Sequence, residues 1–133
     1  MTKSKKILFV CVENIGRSQM AEGFLREMAP QFDVISAGTS PKPQLNPTVT
    51  EVMKEIGIDI TKQEPKELKD EMIYSSITVN MGCMDKESCP SLFVKDVIDW
   101  NILDPKDKDI IQVRAIHDQI KNQVFNLIQK LEK

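Results

Sequence analysis

An apolar run, Ile7-Leu8-Phe9-Val10, ends on Cys11, and a short loop then carries the chain to Arg17-Ser18 and a helical pattern. Apolar residues at consecutive positions read as a strand buried on both faces, Lys5 to Val10. A buried strand that runs straight into a helix is the opening half of a β–α–β unit, so the chain is directed toward a parallel sheet covered by helices. The loop is Cys11-Val12-Glu13-Asn14-Ile15-Gly16-Arg17-Ser18: a cysteine, five residues, then an arginine. Backbone N–H groups in such a turn form an anion-binding concavity, and the following helix adds the positive end of its dipole. Arg17 can present a planar fork to two oxygens of a tetrahedral oxyanion. Cys11 lies in the same positive field, which lowers a thiol from its free value of about 8.5 and favours the thiolate. Against this stands the inert alternative, because a cysteine ending a strand is usually a small hydrophobe. The strand before, the helix after, and Ser18 beside Arg17 favour the oxyanion loop.

The remaining pattern extends the same architecture. Met20, Phe24 and Met28, with Ala21 and Leu25, mark a helix over Gln19–Met28 that Pro30 ends. Phe32–Ala37 reads as a second strand, and Gly38 opens a loop stiffened by Pro41, Pro43 and Pro47. Asn46-Pro47 is an N-cap followed by proline at the first helical position. Val49, Val52, Met53 and Ile56 continue that helix to Gly57. Pro65-Lys66-Glu67-Leu68 is expected to start a short helix. Ser75–Met81 is a third strand and Val94–Ile98 a short fourth. Ile110, Val113, Ile116, Ile120, Val124, Leu127 and Leu131 predict a long closing helix from Asp109. Ligands of parallel sheets bind beyond the carboxyl ends of the strands, where the loop at Cys11 lies.

Two later stretches carry chemistry. Cys83 and Cys89 sit in a polar segment, Gly82 to Pro90. One reading is a thiol relay: Cys83 attacks a sulfur at Cys11, and Cys89 then attacks Cys83, each step a thiol–disulfide exchange. The rival is zinc on Cys83, Cys89 and a third ligand. That spacing is wide, and the only histidine, His117, falls inside a helix, so no metal is assigned. In Trp100-Asn101-Ile102-Leu103-Asp104-Pro105, Pro105 restrains Asp104 to extended geometry. Its carboxyl group could protonate a leaving oxygen as general acid. A turn aspartate before proline is the plainer alternative, and Asp99 is the competing acid. Asn14 and Ser18 are expected to support the loop, Ser18 by donating to the thiolate. Glu13 opposes an anion unless it points outward into water, as it is expected to do. Glu22 reads as a first-turn charge or a cation ligand.

Composition limits the partners. A net charge of −2 offers no general attraction to nucleic acid or to an anionic membrane, so an anion site must be local. Hydrophobic residues at 41% and charged residues at 29% describe one globular domain over residues 1–133. The basic N-terminus precedes too short an apolar run for a signal peptide or span, and a cytoplasmic monomer is expected. Three cysteines there argue for reactive thiols over a disulfide framework.

These stretches together resemble the thioredoxin-coupled arsenate reductases built on the low-molecular-weight tyrosine phosphatase fold. The resemblance covers nearly the whole chain. It rests on Phe9-Val10-Cys11, the run Asn14 to Phe24, Ser36-Ala37-Gly38, Asn46-Pro47, Met81-Gly82-Cys83 with Cys89-Pro90, Asp99-Trp100 and Leu103-Asp104-Pro105. It implies an α/β three-layer sandwich with a central four-stranded parallel sheet. It implies arsenate held by residues 11–18, with phosphate or sulfate competing. Cys11 attacks arsenic, Asp104 protonates the departing hydroxide, and Cys83 and Cys89 pass the oxidation to a disulfide that thioredoxin or another dithiol donor reduces. No cofactor is required. Glu13 stands where small or neutral residues are usual in that family, and Gly16 where many members carry cysteine. Some members bind potassium near the loop. Asn14, Glu22 and Ser36 match part of that site, and Gln63-Glu64-Pro65-Lys66 does not clearly supply the rest.

Two other readings stay open. A low-molecular-weight phosphatase would use Cys11, Arg17 and Asp104 with water, although one Trp and one Tyr leave few aromatics to hold a phenyl ring. A non-catalytic thiol sensor or metal-binding protein would leave the intact loop unexplained.

Overall fold

The computed structural model describes residues 5–74, 76–81 and 97–132. Strand β1 (Lys6–Cys11) leads through the loop to helix α1 (Arg17–Met28), strand β2 (Asp33–Gly38) and helix α2 (Pro47–Glu55). Helix α3 (Asp70–Tyr74), strands β3 (Ile77–Asn80) and β4 (Ile98–Asp99) and helix α4 (Ile110–Leu131) complete the described elements. The sheet has the order β2-β1-β3-β4 and all its pairings are parallel. The anticipated α/β architecture is therefore present.

β1 is central because it is apolar on both faces. Ile7 and Phe9 face the larger core, where α1, α2 and α4 contribute Met20, Phe24, Val52, Met53, Ile116 and Ile120. Leu8 and Val10 face the other way, toward Ala37, Ile73 and the partly buried Leu68 and Met72. The period-two alternation of one strand thus produces three layers. Phe9 is also buried against Trp100, with ring centroids 5.6 Å apart.

Local signals explain most boundaries. The Asn46 side chain accepts from the N–H groups of Thr48 and Val49 at 2.9 and 3.3 Å, capping α2 ahead of Pro47. Gly57 adopts φ +85° just beyond α2, a conformation that costs glycine least. Asp109 caps α4 in a reciprocal box with Gln112.

One expected helix start is absent. Pro65–Leu68 does not begin a helix; α3 begins at Asp70. Gly38 donates to the Lys66 carbonyl and accepts from the Leu68 N–H, both at 2.8 Å, so the segment is held as an isolated bridge at the end of β2. This pairing replaces the local bonds a helix would need. Gly38 itself closes β2 opposite Cys11, and a Cβ there would collide with the Val12 carbonyl oxygen. The fourth strand is Ile98–Asp99, and Val94 to Asp96 lie outside the described residues.

Candidate active site

The β1–α1 loop is built from its carbonyl groups outward. The Val12, Glu13 and Ile15 carbonyls accept from the backbone N–H groups of Ser40, Lys42 and Asn46 at 2.9 to 3.1 Å. The Asn14 carbonyl accepts from Gln19 Nε2 at 2.8 Å, and that of Gly16 from the Met20 N–H at 3.0 Å. Every described peptide bond is trans. A trans peptide directs its N–H opposite to its C=O, so carbonyls bound on the outside turn the N–H groups of residues 13–17 inward. Such a concavity, with the N-terminus of α1 opening onto it, is able to accept an anion.

Asn14 makes the turn possible. Its backbone sits at φ +56°, in the left-handed region that asparagine tolerates better than most residues. Its side chain is fully buried and donates to Ser18 Oγ at 2.8 Å. Its Oδ1 accepts from the Lys66 N–H at 2.8 Å and from Gln19 Nε2 at 3.2 Å. Gln63 Nε2 donates in turn to Gln19 Oε1 at 2.8 Å. The supporting role expected of Asn14 is present, and Gln19 and Gln63 join it. Neither glutamine had a sequence signal beyond its position in or beside a motif.

Arg17 is 6% exposed. Its Nη1 donates to the carbonyls of Ile102 at 2.7 Å and Met81 at 3.4 Å, and Nη2 lies 3.5 Å from Asp104 Oδ2. Its Nε is buried with no hydrogen-bond partner among the described residues. A buried guanidinium N–H left unsatisfied is costly, so this edge of the fork is set for an acceptor.

Cys11 is buried at the floor of a cavity of about 470 Å³. The loop contributes Val12, Glu13, Ile15, Gly16 and Arg17 to its lining, and the segment after β4 contributes Asp104, Pro105 and Lys106. Asn14 and Ser18 lie behind this wall and support it. Asp104 is 57% exposed and reaches the cavity from the loop after β4, with Oδ1 accepting from the Lys106 N–H at 3.0 Å. Asp99 lies on β4, exposed and away from the cavity lining. Of the two acids, Asp104 borders the cavity and Asp99 does not. The cavity's other side chains, Asn46 and Lys106, were missed in the sequence: Asn46 reads only as a cap, and nothing in the sequence singles out Lys106.

Glu13 does not point clear of the site into water. It lines the cavity, 26% exposed, with Oε2 3.7 Å from Lys42 Nζ and 4.0 Å from Lys106 Nζ. His117 is buried, with its ring edge-on to Phe24, and is not part of the cavity lining. No aromatic side chain lines the cavity among the described residues. Cys83 and Cys89 lie outside the described residues.

The potassium ligands suggested by resemblance do not fit that ion here. Glu22 is 1% exposed and lies in the second turn of α1, not the first. Its carboxylate accepts from Ser36 Oγ at 2.7 Å and Arg26 Nε at 3.0 Å, and Lys66 Nζ stands 3.9 Å away. The Asn14 Oδ1 is also engaged by two protein donors. The carboxylate is thus neutralised by this chain's own cations. Among the described residues, no cluster of His, Cys, Asp and Glu is able to hold a metal ion, and no helix is long and apolar enough to cross a membrane.

The family described as low molecular weight phosphotyrosine protein phosphatase matches residues 6–133. The chain is 36% identical to an arsenate reductase of Staphylococcus aureus over 129 residues, covering 95% of this chain and 97% of the relative. It is 36% identical to a glutaredoxin arsenate reductase of Synechocystis over 132 residues, covering 96% and 98%. A solved thioredoxin-dependent arsenate reductase of Corynebacterium glutamicum superposes with a TM-score of 0.81 at 32% identity, over 98% of this chain and 63% of that one.

Proposed function

The chain belongs to the low molecular weight phosphotyrosine protein phosphatase family, and from that premise we propose that it reduces arsenate to arsenite. The observation that carries the reading is the loop whose N–H groups converge beside Arg17 and above Cys11. Relatives named as arsenate reductases at 36% identity support the choice of arsenic over phosphorus.

The N–H groups and the Arg17 fork hold the arsenate oxygens, and the same field favours the Cys11 thiolate. Cys11 Sγ bonds to arsenic. The departing hydroxide takes a proton from Asp104 and leaves as water. Cys83 thiolate then attacks Cys11 Sγ. A sulfur–sulfur bond forms, the arsenic–sulfur pair stays on arsenic, and arsenic falls from the +5 to the +3 state. Cys89 attacks Cys83 and releases Cys11 as thiolate. An external dithiol, thioredoxin or glutaredoxin, supplies two electrons to the Cys83–Cys89 disulfide. We place this reaction in the cytoplasm, where thiols are kept reduced.

The test is arsenate-dependent NADPH oxidation with thioredoxin and its reductase. Wild type turns over; Cys11→Ser, Cys83→Ser and Cys89→Ser do not. Loss only in Cys11→Ser removes the relay from the reading.

A further inference from the structure

Glu13 has no place in the chemistry above, yet it is an acid in an anion cavity. Two cations hold it, from separate loops: Lys42, after β2, and Lys106, after β4. The Glu13 carbonyl also accepts from the Lys42 N–H at 3.1 Å, so the two residues are fixed to each other twice. A second cleft of about 590 Å³ opens beside the anion cavity. Glu13, Ile15, Asn46, Pro105 and Lys106 border both spaces, Glu13 and Lys106 being the charged ones, whereas Lys42 and Lys108 line only the second. Glu13 therefore stands on the shared wall.

We propose that Glu13 is a specificity-determining residue: with Lys42 and Lys106 it bars the passage between the two spaces, so that the site takes a free oxyanion and rejects a monoester. The proposal rests on the oxyanion reading above. On that reading, three oxygens of a tetrahedral anion would face the loop and Arg17, and the fourth would face Asp104 across the cavity. An ester substituent would start from that fourth oxygen. Its path runs past Pro105 and Lys106, the residues that lead into the second cleft. There it meets the Glu13 carboxylate and its ion pairs, and an aryl group would have to desolvate them without replacing their contacts. A free oxyanion carries nothing along that path. The carboxylate also offsets two lysines that would otherwise draw acidic substituents into the cleft.

Calorimetric titration with phenylphosphonate and inorganic phosphate tests this, using wild type, Glu13→Gln and Lys42→Gln. In wild type, phosphate binds and phenylphosphonate binds poorly. Glu13→Gln tightens phenylphosphonate by about 10-fold or more and phosphate by a clearly smaller factor. Lys42→Gln, which leaves the carboxylate with one lysine, weakens phenylphosphonate further. Equal tightening of both anions in Glu13→Gln, or no change in either with an unchanged melting temperature, overturns the proposal. If neither anion binds any of the proteins, the oxyanion reading itself fails.

Discussion

Arg17 Nη1 donates to the carbonyl oxygen of Ile102 at 2.7 Å. This bond ties the start of α1 to the loop after β4, which also carries Asp104. The guanidinium is oriented before an anion arrives, so binding orders little that is not already ordered. Arg17→Lys keeps the charge and loses the fork. Losing one charge-assisted bond of about 1.5–3 kcal/mol weakens inorganic phosphate binding by about 10- to 100-fold. Calorimetry checks it; an unchanged affinity would mean that Arg17 does not touch the anion.

Asn14 combines a left-handed backbone with a buried side chain that meets Ser18, Gln19 and Lys66. Asn14→Ala loses those bonds and keeps the backbone strain, at a cost of about 2–4 kcal/mol. Asn14→Gly loses the same bonds but relieves the backbone, so it is the more stable of the two in urea. Equal stability would show that the backbone conformation carries no cost.

Asp104 is well exposed, and its Oδ1 bond to the Lys106 N–H is one that asparagine can also accept. Asp104→Asn thus leaves the melting temperature nearly unchanged. It slows turnover by about 10²- to 10⁴-fold, the range for loss of a general acid. A wild-type rate would return Asp104 to the turn-former reading.

The anion loop is legible in the sequence because its elements are local. The apolar strand, the Cys11–Arg17 spacing and the helix after it lie in one stretch, and the Asn46 cap of α2 is likewise contained in a few residues. What escapes sequence reading depends on residues far apart in the chain. Pro65–Leu68 has the local look of a helix start, but Gly38 takes its backbone into a bridge. Glu13 reads as an awkward charge until Lys42 and Lys106 are brought beside it. Glu22 reads as a helix-end acid until Ser36 and Arg26 are found on its carboxylate in the core.

Stability also carries a pH signature away from the site. Arg114 on α4 donates to both oxygens of Glu55 on α2, at 3.0 and 2.7 Å. These hydrogen bonds, first among the causes, hold the Glu55 carboxyl below its ordinary 4.5. A carboxyl lowered on folding contributes stability above its unfolded value and loses it as pH falls through the lower folded value. Glu55→Gln therefore lowers the melting temperature slightly at pH 7, and the gap closes as pH drops below 4.5. High salt narrows it too, because the pair is exposed. A gap that persists at low pH would assign the effect to packing.

The most direct test of the arsenate relay omits the external reductant. Fully reduced protein is mixed with excess arsenate; arsenite is then counted and disulfides are mapped by peptide mass. The relay yields one arsenite per chain and a disulfide between Cys83 and Cys89, with Cys11 returned to the thiol. No arsenite, or arsenite formed while Cys83 and Cys89 both stay reduced, would contradict it.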